Sequence, residues 1–202
     1  MLGSSPAAST APRVLVRVWD RPVRVLHAML IGCVPAAWIT GDVRGPWHER
    51  LGYAILAIVV ARLAWGFVGN RHARFRDWLR GPACTSAYLR AVLARRAPRH
   101  LGHNPLGGWM IVALLGCLGA LSLTGMLYET DLFWGLSWLV SLHVALGWLL
   151  LVLVLLHVLG VGLMSRYQRE NLVAAMITGR KRAPAVRGGG APDARAPRFG
   201  PR

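Results

Sequence analysis

Two histidines interrupt the longest apolar stretch of the chain, residues 138–164, which contains no Asp, Glu, Lys or Arg. His143 and His157 are fourteen residues apart, which is about 21 Å along a helix rising roughly 1.5 Å per residue. Fourteen steps of about 100° bring both imidazoles to nearly the same face of that helix. Because a polar group without a partner is costly in hydrocarbon, each ring is expected to face the protein interior and bind something there.

The composition favours one integral membrane domain over a soluble protein. The chain has 202 residues, is 54% hydrophobic and carries a formal net charge of +16. The basic residues alternate with apolar spans and do not form one basic face, so nucleic-acid binding is not expected. Three cysteines, Cys33, Cys84 and Cys117, form no CxxC or CxxCH motif. A disulfide framework, a cysteine-rich zinc site and covalent haem attachment are therefore not expected.

The apolar pattern predicts an all-α membrane protein, a four-transmembrane-helix bundle that occupies residues 13–182. The predicted spans cover residues 23–39, 47–69, 106–128 and 138–164. Residues 1–12 are rich in small residues and Pro, residues 183–202 are basic and rich in Gly and Pro, and both are predicted to be disordered tails.

The distribution of positive charge predicts the orientation of the bundle. Of the 24 Lys and Arg residues, four lie in residues 1–26, eight in 70–105 and nine in 165–202. The positive-inside rule then places both termini and the long loop on the cytoplasmic side of the membrane, which is expected to be a bacterial inner membrane. Within the basic segments, residues 85–93 are predicted to form a short amphipathic helix and residues 166–182 an interfacial helix.

This orientation sorts the membrane histidines into two layers. His48 and His143 lie near the outer side of the membrane, and His27 and His157 lie near the cytoplasmic side. Two imidazoles on facing helices in an apolar slot suit bis-histidine ligation of a planar iron porphyrin, and two such layers would form a relay across the membrane. A single such histidine is more often a hydrogen-bonded core residue, but four at matching depths favour ligation.

The three remaining histidines, and an arginine inside the second predicted span, are not interpreted as haem ligands. His72, His100 and His103 lie in the basic loop and are interpreted as solvated or interfacial. Arg62 follows His48 by fourteen residues and therefore reaches the depth of the cytoplasmic layer. The hypothesis is that Arg62 pairs with a propionate of the inner haem; the alternative is that it snorkels to the cytoplasmic surface.

Several sequence pieces point to a known family. They are VWDRPVRVLH, WHERLGYAIL, RLAWGFVGNRHARF, GHNPLGGWM, the H-x13-H pair and RENLVAAMITGRKR. Over about residues 16–183 the chain resembles the bacterial di-haem cytochrome b561 family and the related b-type cytochrome subunit of nickel–iron hydrogenases. The resemblance implies a four-helix bundle with two b haems, whose axial ligands match His27, His48, His143 and His157. The SLHVALG context of the outer span-four histidine lacks the flanking acidic residues that relatives often have, which leaves the tuning of the outer haem open.

The expected function is electron transfer by a di-haem b-type cytochrome in a respiratory chain. It would link the quinone pool to a periplasmic partner, either a c-type cytochrome or another redox protein such as a hydrogenase. Quinone redox is the only chemistry expected, without hydrolytic or transferase activity. The alternative is a transporter or sensor without haem, in which the same layers bind zinc or copper or relay protons; two histidines per layer make a poor metal site. An assembly subunit without cofactor would leave the four histidines unexplained.

The two faces are expected to differ in what they contact. The short outer loops carry acidic residues that could steer a basic periplasmic partner. These residues are Asp42, Glu49, Glu129 and Asp131, set against Arg44 and Arg50. The arginine-rich inner face is expected to contact anionic lipid headgroups. A quinone is expected near the cytoplasmic haem, beside the end of span two and the turn at residues 103–105.

Overall fold

A computed structural model describes residues 15–41 and 45–182 of the chain. In chain order the elements are β1 (Leu15–Arg17), α1 (Arg21–Thr40), α2 (Pro46–Val68), α3 (Phe75–Trp78), α4 (Pro82–Leu93), α5 (Pro105–Tyr128), α6 (Ser137–Gln168), α7 (Leu172–Thr178) and β2 (Arg180–Arg182). The helices α1, α2, α5 and α6 are long and apolar enough to cross a membrane. They confirm the predicted all-α membrane fold with four transmembrane helices. The predicted tails, residues 1–12 and 183–202, lie outside the described residues.

Polar caps and prolines set where two of the long helices begin. Asp20 caps α1, and its side chain accepts a hydrogen bond from the Val23 amide at 3.1 Å. Asn104 caps α5 in the same way through the Gly107 amide at 2.7 Å, and Pro105 occupies the first turn. A side-chain oxygen at the N-cap satisfies an amide that the helix itself cannot, and proline suits the first turn. The D-R-P and H-N-P pieces of the sequence are therefore helix starts.

The long helices pack in a series, α1 on α2, α2 on α5, and α5 on α6. In the apolar windows of α2 and α5, 28% of residues are buried, against 6% in α1 and α6. The core comprises Ile55, Val59, Leu115, Cys117, Leu118 and Leu150. The two central helices thus carry most of the packing, while α1 and α6 approach each other only sparsely and leave large faces free for lipid.

Two short strands join the segments before the first helix and after the last one. β1 pairs antiparallel with β2, with Val16 opposite Lys181. Arg24 of α1 donates through Nε to the Met176 carbonyl at 3.2 Å and through its guanidinium to the Ile177 carbonyl, which caps the end of α7. We call this side of the bundle, with both strands and residues 69–104, the strand end. The opposite side, where α1 ends, α2 begins and residues 129–136 connect α5 to α6, is the short-loop end.

The segment after α6 differs from the single interfacial helix that the sequence predicts. Arg169 adopts a left-handed conformation with φ 50°, which ends α6, and Gly179 with φ 76° ends α7. A Cβ atom on Gly179 would lie 2.6 Å from the Trp19 carbonyl oxygen, so this turn requires glycine. The chain reverses there and enters β2, because the left-handed residue directs it back towards β1.

Asp20 also links the start of α1 to the end of α2. Its Oδ2 accepts hydrogen bonds from Trp65 Nε1 at 2.8 Å and from Asn70 Nδ2 at 3.1 Å. Both oxygens of this carboxylate are therefore occupied by neutral donors. The contact fixes the two helices that carry His27 and Arg62 at the strand end.

Candidate functional site

The structure brings the four membrane histidines together in two pairs. The ring centres of His48 on α2 and His143 on α6 are 6.1 Å apart. Those of His27 on α1 and His157 on α6 are 6.5 Å apart. These are the two pairs that the sequence groups by depth, and α6 contributes one histidine to each because of the fourteen-residue spacing.

Both separations suit a metal ion held between two imidazoles. A histidine nitrogen binds such an ion at about 2 Å and the ring centre lies about 1 Å further away, so two opposed rings have centres about 6 Å apart. Over residues 15–41 and 45–182, no group of three or more His, Cys, Asp or Glu side chains could hold a metal ion. Each pair therefore offers two nitrogen atoms, the number of axial ligands that a porphyrin with four nitrogens of its own leaves open.

The His48 ring is oriented by the end of helix α1. Its Nδ1 lies 3.0 Å from the Ala37 carbonyl oxygen. That carbonyl belongs to the last turn of α1, where the helix leaves carbonyl groups without partners. With an Nδ1 hydrogen donated to this oxygen, Nε2 is the unprotonated nitrogen and is available as a metal ligand.

The His143 ring is oriented by a threonine on the neighbouring helix. The Thr124 hydroxyl donates to the Leu121 carbonyl at 2.8 Å, so its oxygen can accept from His143 Nδ1 at 3.0 Å. Gly125 allows the ring to approach, since a Cβ there would lie 3.2 Å from His143 Cε1. Sequence reasoning missed this support, because small and hydroxyl residues in membrane helices usually serve helix packing.

The His27–His157 pair lacks comparable anchors. Neither the carbonyl contact of His48 nor the hydroxyl contact of His143 has a counterpart at these two rings within the described part of the chain. The pair lies at the strand end, and His27 occupies the second turn of α1. Three side chains from other segments, Arg62, His103 and Lys181, lie at the same end of the bundle.

Arg62 is one of these side chains. It is 6% exposed, and its guanidinium lies over the Phe75 ring, 5.4 Å from the ring centre. The guanidinium nitrogens NH1 and NH2 each lie 3.5 Å from the Ala73 carbonyl oxygen, which is a long contact. The guanidinium thus lies inside the protein. Snorkelling, the alternative, would instead place it at the surface.

His103 is the second; the residue as a whole is half-buried, and its ring packs between two tryptophans instead of extending into solvent. Its ring centre lies 4.4 Å from that of Trp19 and 4.8 Å from that of Trp78. Its Nδ1 is buried and has no hydrogen-bond partner in the part of the chain that the structure describes. Burial and the nearby charges of Arg62 and Lys181 lower the pKa of His103 to about 3, so the ring is neutral.

The burial of His103 follows from the fold of the segment before α5. Trp78 at the end of α3 is 5% exposed and packs against Gly108, where a Cβ would lie 3.0 Å from the indole. The Asn104 cap then fixes residue 103 directly ahead of α5. The segment therefore folds over the end of the bundle and does not extend into solvent.

Lys181 is the third side chain. It is 5% exposed, and its ammonium lies 5.7 Å from the centre of the Trp19 ring. Burial lowers the pKa of Lys181, while the charge of Glu170 opposes that shift. Trp19 is 8% exposed beneath this lysine. Its neighbours in β2, Arg180 and Arg182, are exposed.

The family model described as prokaryotic cytochrome b561 matches residues 18–179 of the chain. The chain belongs to the prokaryotic cytochrome b561 family. This confirms the resemblance drawn from the sequence pieces. A b-type cytochrome carries haem b, so the family and the spacing of the two histidine pairs point to the same cofactor.

The curated relatives have consistent names, but their sequence identity to this chain is low. The chain is 27% identical to a probable Ni/Fe-hydrogenase B-type cytochrome subunit from Azotobacter chroococcum mcd 1, over 65% of each chain. It is 24% identical to the corresponding protein of Rhizobium leguminosarum bv. viciae, over 66% of each. A probable Ni/Fe-hydrogenase 1 B-type cytochrome subunit of Escherichia coli (strain K12) is 24% identical over 44% of this chain and 49% of that one.

The chain spans no more than about two thirds of the length of these curated relatives. No solved structure matches it.

Proposed function

We propose that this protein is a di-haem electron carrier that relays electrons across the bacterial inner membrane. One haem b would be held by His48 and His143, and the other by His27 and His157. The observation that carries the proposal is the presence of two imidazole pairs at the spacing of bis-histidine ligation, separated along α6 by fourteen residues. When bound, haem supplies a one-electron redox change at iron.

The protein's own residues make these sites suited to electron transfer rather than to substrate chemistry. An imidazole stands on each side of the space between the rings, so neither side is left open to a substrate. At the short-loop end, Ala37 and Thr124 hold the ligating tautomer of each ring in place. The surrounding apolar side chains of the bundle exclude water.

We place the redox protein partner at the short-loop end. The positive-inside rule makes this the outer face, with both termini in the cytoplasm. Glu49, Glu129 and Asp131 are exposed there, whereas Arg50 lies over the Trp47 ring, 5.2 Å from its centre. Asp42 and Arg44, the other charged residues of the short outer loops, lie outside the described residues. The printed names of the relatives make a nickel–iron hydrogenase one candidate partner, and a periplasmic c-type cytochrome is the other.

We place quinone redox at the strand end, beside the end of α2 and the turn at residues 103–105. This location is adjacent to the His27–His157 pair, and the sparse packing between α1 and α6 leaves an approach from the lipid. Arginine side chains on this face would contact anionic lipid headgroups. The protein would thereby connect the quinone pool to the outer partner.

The proposal is tested by the absorption spectrum of the purified full-length protein before and after dithionite, with haem quantified per chain. Sharp b-type bands and about two haems per chain are expected. A featureless visible spectrum would contradict the proposal. Zinc or copper in place of haem would instead favour the haem-free transporter or sensor.

A further inference from the structure

The strand end contains a buried group of side chains that ligation does not use. We call Arg62, His103 and Lys181 the strand-end cluster. Arg62 and Lys181 are the two buried charged residues of the described chain, at 6% and 5% exposure. A buried charge without an opposite charge is costly, so two buried cations at one end of the bundle favour the binding of an anion.

Two carboxylates at this end of the bundle, Asp20 and Glu170, form no ion pair with Arg62 or Lys181. Asp20 accepts from the Val23 amide with one oxygen and from Trp65 and Asn70 with the other. Its charge reaches Arg62 only at long range.

Glu170 is engaged through one oxygen. Its Oε1 forms an ion pair with Arg99 at 3.0 Å and accepts from the Arg182 amide at 3.1 Å. Its Oε2 is buried without a hydrogen-bond partner in the described structure, and the charge of Glu170 partly offsets that of Lys181 without an ion pair between them. Across residues 15–41 and 45–182, the ion pairs are Arg74–Asp77 and Arg99–Glu170, and neither includes Arg62 or Lys181. The protein as described therefore has an excess of buried positive charge at this position.

His103 adds an unused hydrogen-bonding group beside these cations. Two tryptophan rings fix its orientation, and its buried Nδ1 meets no partner in the described structure. A buried ring nitrogen without a partner destabilises the protein unless a ligand forms a hydrogen bond with it. The charges of Arg62 and Lys181 and the ring of His157 all lie close enough to His103 to influence its protonation. The cluster thus lies at the same end of the bundle as the His27–His157 pair.

We infer that Arg62, His103 and Lys181 form a carboxylate-binding cradle for the propionates of the haem held by His27 and His157. The inference rests on the proposed function. Haem b carries two carboxylates, which matches two buried cations and one neutral hydrogen-bonding ring. Positive charge near a haem favours its reduced form, so the cradle raises the midpoint potential of this haem relative to the other.

A charge-removing substitution tests the cradle by redox titration of the full-length holoprotein. Lys181→Met keeps an unbranched side chain over Trp19 and removes the ammonium. We expect one of the two one-electron couples to fall by about 59 mV, a tenfold change in its reduction equilibrium, while the other couple stays unchanged. Arg180→Met and Arg182→Met are matched controls on the same strand; both side chains are exposed, so neither couple should move by more than a small fraction of that shift.

Two further variants keep the inference testable if Lys181→Met folds poorly. His103→Phe preserves the packing between Trp19 and Trp78 but removes the ring nitrogens. Arg62→Leu removes the second cation. Each should lower the same couple as Lys181→Met, while the low-spin ferric signals in electron paramagnetic resonance keep their g values, because the axial ligands are intact.

The outcomes separate this inference from the proposed function. Two haems per chain with unchanged potentials in Arg62→Leu, His103→Phe and Lys181→Met would overturn the cradle and leave the di-haem assignment standing. Equal shifts of both couples, or equal shifts in the Arg180 and Arg182 controls, would also overturn it, since they indicate a general surface charge effect. Absence of haem from the wild-type protein would overturn the proposed function itself.

Discussion

The two histidine pairs have similar ring separations, 6.1 and 6.5 Å, but the protein supports them in different ways. At the short-loop end, a carbonyl and a threonine hydroxyl orient the rings, and no buried charge is present among the described residues there. At the strand end, the rings have no such anchors in the described chain, and two buried cations lie nearby. If the pairs hold haem as proposed, one site would be organised through the orientation of its imidazoles and the other through electrostatics.

The largest expected effect comes from removing a ligand. His48→Ala or His143→Ala should lose mainly the short-loop haem, and His27→Ala or His157→Ala mainly the strand-end haem, which lowers haem content from about two to about one per chain. The partner imidazole is then left unsatisfied in an apolar slot, so a lower yield is also expected. Haem quantification and difference spectra measure both effects.

The control for these variants is His100→Ala, a loop histidine whose Nδ1 contacts the Pro98 carbonyl at 3.1 Å. It should retain both haems. If all four ligand variants kept two haems with unaltered spectra, the pairing would be wrong.

The second prediction distinguishes the short-loop end, where hydrogen bonds orient both histidine rings, from the strand end. Thr124→Val removes the hydroxyl that orients His143 and should weaken haem binding at the short-loop end by about 10–100-fold. The strand-end haem should not respond. The measurement is the rate of haem loss from each site to an excess of a haem-scavenging apoprotein.

Ser141→Ala is the matched control, because its exposed hydroxyl bonds to its own helix through the Ser137 carbonyl at 3.0 Å. Equal haem loss from both sites in Thr124→Val, or the same loss in Ser141→Ala, would contradict the idea that the threonine anchors one ligand.

A backbone substitution should affect the strand end alone. Gly179→Ala places a side chain at φ 76° with its Cβ 2.6 Å from the Trp19 carbonyl, which should cost about 1–3 kcal/mol. Thermal unfolding in detergent, followed by the visible bands, should show the strand-end haem released at a lower temperature. Gly162→Ala on α6 has open space around its Cβ and should change little. Simultaneous, equal loss of both haems would argue against separate support of the two sites.

The smallest expected effect concerns docking at the short-loop end. Replacing Glu129 with Gln and Asp131 with Asn removes two exposed acidic groups and should slow reduction of a basic periplasmic cytochrome a few-fold at low salt, with less dependence on ionic strength. Stopped-flow mixing at increasing salt measures this. The electrostatic docking argument would be wrong if the wild-type rate did not change with salt concentration, or if the double variant reacted at the wild-type rate. Neither result would affect the haem assignment.

The spans and the grouping of the histidines could be predicted because hydropathy and depth are encoded locally. An apolar run of bilayer length specifies a membrane helix, and its direction assigns each histidine to one half of the membrane. The helix starts at Asp20 and Asn104 extend slightly beyond the apolar runs, because caps and prolines belong to the helix without being hydrophobic.

The strand-end cluster could not be predicted, because it depends on contacts between distant segments. His103 and Lys181 stand in basic stretches that sequence patterns assign to solvent, and the pairing of β1 with β2 buries the lysine. One signal was present in the sequence: Lys181 is the only lysine, while the other 23 basic residues are arginine. A lysine is a compact charge on a flexible stem, which suits burial over a tryptophan ring.

Low-temperature electron paramagnetic resonance of the oxidised full-length protein tests the central claim most directly. Two distinct low-spin ferric signals of the bis-imidazole type, integrating to about two spins per chain, are predicted because each histidine pair holds one haem in its own environment. A single signal that integrates to one spin per chain, or a predominantly high-spin spectrum, would contradict the assignment of both pairs as haem ligands.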